Sequence, residues 1–225
     1  MDWSIQLYYN KLVDRLFISQ FFKFLVIDGV RYNAYKYKAR YAINATYPEK
    51  DIEFTETEIK DSTSKLNEIV NTYLNYNLKT THFSIDLDYM ENVKFNFSLY
   101  IIPVEDGYIF SFDTGDCHIP DEKTFLTFVN LCKEIFVKFQ FAYGSFKGKD
   151  QFIPTTVNSF LETPPDIVTF YSKSIVDRIG SKRLLSAPVR MVESLENGNV
   201  MLLVCTNPVG CPDEVWRLWH HLGYR

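Results

Sequence analysis

Hydrophobic and polar positions along this chain follow two rhythms, one of three to four residues and one of two. Near the start Ile5, Tyr9, Leu12 and Leu16 recur at helical spacing, with Tyr8, Val13 and Phe17 widening the stripe, which predicts a helix over 4–20. A turn is expected at Asp28-Gly29. The tyrosine-rich stretch from Tyr32 to Tyr47 reads as irregular or extended and ends at Pro48. Thr55 and Glu58 match a capping box, so a second helix is predicted over 56–75 with Ile59, Leu66, Ile69, Val70 and Tyr73 on one side.

The period then falls to two. Phe83, Ile85, Leu87 and Tyr89 alternate with Ser84, Asp86 and Asp88, and Phe95, Phe97, Leu99 and Ile101 alternate with Asn96, Ser98 and Tyr100. "PVEDGY" supplies a turn before Tyr108, Phe110 and Phe112. This pattern predicts an antiparallel meander with its apolar face against helices and Asp86 and Asp88 on the solvent side.

Helical spacing returns after Pro120 and Asp121, where Phe125, Phe128, Val129, Cys132, Phe136 and Phe139 define a buried stripe ending near residue 139. Glycines and polar breaks over 141–156, followed by the consecutive prolines of "ETPPD", mark an internal boundary near 145–165 within a single domain of residues 1–225. A short helix near 171–179 stops at Gly180. "VRMVESLENGNVMLLVCTNP" reads as a hairpin turning at Asn197-Gly198, and Pro212 and Asp213 open a last helix with Val215, Leu218, Trp219 and Leu222 on one face. The expected class is α+β: a mainly antiparallel sheet with packed helices and a C-terminal hairpin–helix unit.

Composition narrows the setting. The chain has 225 residues, 46% of them apolar and 16% aromatic, enough for a substantial core. A net charge of −4 disfavours nucleic acid and anionic lipid as broad partners. The opening "MDWSIQLYYNKLVDRLF" lacks a basic region followed by an apolar run, and no stretch approaches the roughly eighteen apolar residues of a membrane span. A cytoplasmic protein is expected, with no membrane association. In that setting Cys117, Cys132, Cys205 and Cys211 are expected as thiols, Cys132 and Cys205 in the core.

Charge is unevenly distributed. Between Asp86 and Glu122 stand nine acids, including Glu91, against one base, Lys94. The candidate partner-binding residues are therefore Asp86, Asp88, Glu105, Asp106, Asp113, Asp116, Asp121 and Glu122, a surface suited to a basic protein because complementary fields steer encounter and reject wrong partners. Convergence of Asp86 and Asp88 with Asp113 and Asp116 offers an alternative, a divalent-metal-dependent hydrolase, since hard cations take carboxylate oxygens. Solvation of an ordinary acidic surface is the plain competitor to both.

Other chemistry-bearing residues form no complete motif. Cys117 and His118 are adjacent and point apart in extended chain, and His220 and His221 diverge by about 100° on a helix. "RIGSKRLLSAP" has Gly180 and Ser181 among basic residues but not phosphate-loop spacing, and "FAYGSFKGK" lacks dinucleotide-site context. Neither Ser181 nor Ser186 sits in a nucleophile elbow. No cofactor and no catalytic residue is assigned.

The segment Arg178 to Gly223, through "IGSKRLLSAP", the "ENGNV" turn and the closing "HHLG", resembles the end of small bacterial immunity-type proteins of polymorphic toxin systems. The resemblance implies a non-enzymatic protein that neutralises a toxin by binding it. It covers about a fifth of the chain and leaves the tyrosine-rich N-terminal half without a counterpart.

Overall fold

A computed structural model describes residues 2–32, 38–45, 55–58, 62–148, 151–206 and 211–224. In chain order these form β1 (Asp2–Tyr9), α1 (Arg15–Ile27), β2 (Val30–Arg31), β3 (Lys38–Asn44), β4 (Thr55–Glu58), α2 (Ser62–Tyr73), β5 (His82–Tyr89), β6 (Phe95–Val104) and β7 (Gly107–Gly115). They continue with α3 (Glu122–Phe139), β8 (Tyr143–Gly148), α4 (Val157–Glu162), β9 (Val168–Tyr171), α5 (Lys173–Ile179), α6 (Ser181–Leu185), β10 (Met191–Ser194), β11 (Val200–Leu203) and α7 (Pro212–Leu222). The class is α+β with antiparallel strand pairing, as the alternating patterns predict. The chain divides into two compact units, residues 1–10 with 115–225, and residues 11–114. The stretch 145–165 falls inside the first of these.

In the first unit the strand order is β10-β11-β9-β8-β1. Trp3, Ile5 and Leu7 alternate onto one face of β1, where Trp3 meets Phe125 and Phe128 of α3 edge-on, and Phe136 of α3 stacks on Phe170 of β9. Asp121 caps α3 by accepting from Thr124 N at 2.8 Å. The hairpin turn forms where expected, with Asn197 at φ 59° and Gly198 at φ 76°, a region that asparagine and glycine tolerate best. Gly223 at φ 80° closes α7, and Leu218 and Leu222 of its expected face are buried.

The second unit orders its strands β7-β6-β5-β3-β4, with β2 also pairing β5. Its apolar face carries Phe83, Leu99, Ile101 and Phe110, all buried. Phe21 and Phe22 of α1 pack edge-on against Phe110 and Phe83, and Tyr73 of α2 stacks on Phe83 at 4.5 Å. One side of this sheet is thus sealed by two helices, as the meander's pattern requires.

Three expectations are corrected. Residues 4–20 are not one helix: Trp3, Ile5, Leu7 and Tyr9 also fit a period of two, and β1 is fixed by pairing with β8, so α1 begins only at Arg15 after the Asp14 cap. Leu12 and Leu16, assigned to its buried stripe, are 61% and 63% exposed. Thr55 to Glu58 are strand rather than cap, because alternating Thr and Glu pair with β3 and the helix starts at Ser62. Third, Cys205 and Cys211 form a disulfide, since the end of β11 and the start of α7 bring their Cα atoms to 6.4 Å despite six residues of separation. Cys132 is a buried free thiol, as expected, and burial pushes its pKa up. Pro48 and Ile59 lie outside the described residues.

Candidate functional site

The second unit gathers some of the predicted acids on the polar face of its sheet. Cross-strand register places Asp86 opposite Ser98 and Ser98 opposite Asp113, and Arg40 of β3 completes the row by donating from Nε to Asp86 Oδ2 at 3.0 Å. Ser98 donates its hydroxyl to the other Asp86 oxygen at 2.7 Å, and Ser111 donates to Asp113. One row along, Ser84, Tyr100 and Ser111 lie opposite one another. Burial pushes the Tyr100 hydroxyl up from its ordinary pKa, and the negative fields of Asp113 and Asp86 push it the same way. Asp86, Ser98, Tyr100 and Asp113 are all half-buried, while Arg40 is exposed.

Asp88 belongs to the same face and has a different environment. It is 0% exposed and accepts the side-chain amide of Asn96, its cross-strand partner. The expected solvated position for Asp88 is therefore overturned, because strand β5 is covered on both faces: His82 and Ser84 on its polar side are buried too. Burial lowers the His82 pKa to about 4, which leaves the imidazole neutral near pH 7. Glu105 and Asp106 occupy the exposed β6–β7 turn, at least six residues along β6 from Ser98, or about 20 Å at strand spacing. They do not join the Asp86–Asp113 row.

The remaining three acids belong to the first unit. Asp116 accepts from Trp3 Nε1 at 3.1 Å, Asp121 serves the α3 cap, and Glu122 pairs with Arg190. Each has a local task. Among the described residues no three His, Cys, Asp or Glu side chains gather closely enough to hold a metal ion. Cys117 is exposed, and His220 stacks edge-on against Trp216, one turn away, at 5.6 Å. His221 lies 2.8 Å from the Arg183 carbonyl, so it joins α7 to α6 rather than forming a pair with His220.

Arg40, Asn96, Ser98, Tyr100 and Ser111 were not among the residues expected to form a site. Asn96, Ser98 and Tyr100 were legible as the polar phase of β6, whereas Arg40 carried no local signal: only the β3–β5 register brings it to Asp86. The row as built can hold a basic or hydrogen-bonding group by charge and by its Ser and Tyr hydroxyls. Compared with family models, with curated proteins and with solved structures, the chain matches none.

Proposed function

We propose that this is a non-enzymatic binding protein of the immunity type its C-terminal segment resembles, and that it engages a basic partner protein through Asp86 and Asp113 on the second unit. The observation that carries the reading is the row itself: two half-buried aspartates flank Ser98, with Tyr100 in their field and Arg40 at one end. Mixed Tyr, Arg and Asp surfaces that are already partly desolvated suit a binding centre, where a charge pair is screened less than at an exposed rim. Glu105 and Asp106 would contribute only long-range attraction.

Affinity capture with the tagged chain, followed by calorimetry with the purified partner, tests the surface. The double substitution Asp86→Asn/Asp113→Asn is expected to weaken binding about tenfold or more while leaving the circular dichroism spectrum unchanged. Unchanged affinity rejects the surface. The immunity role requires the partner to arrest growth when expressed alone and to be neutralised on co-expression; a harmless partner rejects it.

No helix among the described residues is long and apolar enough to cross a membrane. The proposed site of action is the cytoplasm, where glutathione would reduce the Cys205–Cys211 disulfide to two thiols. Alkylation before lysis, followed by mass spectrometry, should find both labelled. A fully oxidised pair would place the protein in an oxidising compartment instead.

A further inference from the structure

The Cys205–Cys211 disulfide stands where α7 is held least by other means. Upstream, β11 is anchored through Val204, whose N–H donates to Ile167 O at 2.8 Å and whose carbonyl accepts from Arg190 N at 3.3 Å. Downstream, the second half of α7 is tied to its neighbours: Trp219 Nε1 donates to Pro165 O at 2.6 Å, the Tyr224 hydroxyl to Leu161 O at 2.8 Å, and Arg183 Nε to the His221 carbonyl at 3.2 Å.

The start of the helix is different. Cys211 occupies the N-cap without a hydrogen bond from its side chain, and Pro212 follows at the first helical position. Among the described residues, the hydrogen bonds of 212–217 stay inside the helix: Val215 N donates to Cys211 O at 3.0 Å, and Arg217 turns back to Asp213 O and Glu214. Pro212, Asp213, Trp216 and Arg217 are exposed. A helix end of this kind frays, because its first amides lack partners and each broken bond frees a residue. The bond to Cys205 is the tie that fixes it to the sheet.

We propose that Cys205–Cys211 is a reversible thiol–disulfide site that latches the first turns of α7, closed when oxidised and released by glutathione. The proposal does not rest on a cell compartment, since the purified chain can carry either state. Cys205 is half-buried whereas Cys211 is 8% exposed, so a thiolate reaches Cys205 more readily, and the sulfur it expels lies at a helix N-terminus, where free amides favour a thiolate. A bridge across a sequence separation of six also restricts the unfolded chain far less than one closing a long loop. Its effect therefore falls on this helix end rather than on the whole unit.

The exchange balances. A glutathione thiolate forms a bond to Cys205 Sγ, and the disulfide breaks with its electron pair leaving on Cys211 Sγ. A second glutathione thiolate attacks the glutathione sulfur of the mixed disulfide and frees Cys205 as a thiolate. Protons given up by the two glutathione thiols pass through water to the two cysteines. Net, the protein disulfide is reduced to two thiols and two glutathiones are oxidised to one glutathione disulfide; the reverse sequence closes the latch.

The test equilibrates the intact chain across a series of ratios of reduced to oxidised glutathione and follows amide hydrogen exchange residue by residue by NMR. Cys205 and Cys211 should pass from oxidised to alkylatable within the series. In the reduced chain the amides of Val215 to Leu218, which close the first turns of α7, should exchange about tenfold faster, while those of His221 to Gly223 and of the β10–β11 hairpin keep their rates. Buried Cys132 should stay unlabelled throughout. A pair that does not change state across the series, unchanged exchange on reduction, faster exchange along the whole of α7, or labelling of Cys132 on reduction would each overturn the proposal. The double variant Cys205→Ser/Cys211→Ser should reproduce the reduced rates at every glutathione ratio; if it does not fold, the chemically reduced chain gives the same reading.

Discussion

Each unit places polar side chains on one face of its sheet, and the two faces satisfy them differently. In the first unit the strip of Ser4, Gln6, Ser145 and Thr169 is buried and serves largely main-chain groups, with Gln6 bonded to Gln151 O and Ile153 N. In the second, Asp86 and Asp113 take hydroxyl donors from Ser98 and Ser111 and remain half-buried. The comparison separates two uses of the same alternation. Neutral amide and hydroxyl groups can hold a covering segment in place at modest cost, because each bond lost to water is replaced. Carboxylates lose much more on enclosure, so a sheet that keeps two of them near solvent retains charge available to another molecule.

The sharpest test of the contrast uses His82, the neutral buried imidazole on the second unit's polar face. Its folded pKa of about 4 lies below the unfolded value near 6.5, so the unfolded chain takes the proton first. Stability from this group is complete above about pH 6.5 and is lost as pH falls toward 4, by about 3 kcal/mol at most. Urea denaturation of the chain and of His82→Phe across that window should show the slope in the former and its loss in the latter. Next in size, Gln6→Leu leaves the Ile153 N–H and Gln151 carbonyl without their partner and should cost about 2 kcal/mol in the same assay.

Asp88→Ala strips the Asn96 amide of its acceptor at a fully buried position and is expected to cost about 1.5 kcal/mol. The smallest effect belongs to Arg40→Ala. Its guanidinium is exposed where it meets Asp86, so the loss should stay below about 1 kcal/mol, with the midpoint of unfolding nearly unchanged. If Arg40→Ala proved costlier than Gln6→Leu, the distinction between a structural strip and an available charged row would fail.

How much of this could be read in advance depended on whether a pattern had one physical solution. The start of α3 after Asp121, the β5–β7 meander and the Asn197-Gly198 turn are short-range devices and formed as expected, as did the α3 stripe except at Phe139, which is only half-buried. Residues 4–20 had two solutions. Ile5 and Tyr9 satisfy a period of two or of four, and pairing with β8, more than 130 residues away, decides between them. The acids of the candidate site show the same division. Their crowding in the sequence was plain, but linear density says nothing about which strand end or turn each occupies.

What the sequence by itself determined is the α+β class, the meander, the C-terminal hairpin and helix, and the existence of a locally acidic segment, because alternation, capping and turn chemistry act over a few residues. Only the tertiary structure decided that Asp86 and Asp113 share a row with Arg40, that Asp88 is enclosed, and that Cys205 meets Cys211. Those outcomes depend on register between distant strands and on which segment covers each face, and both are set by packing across the whole unit.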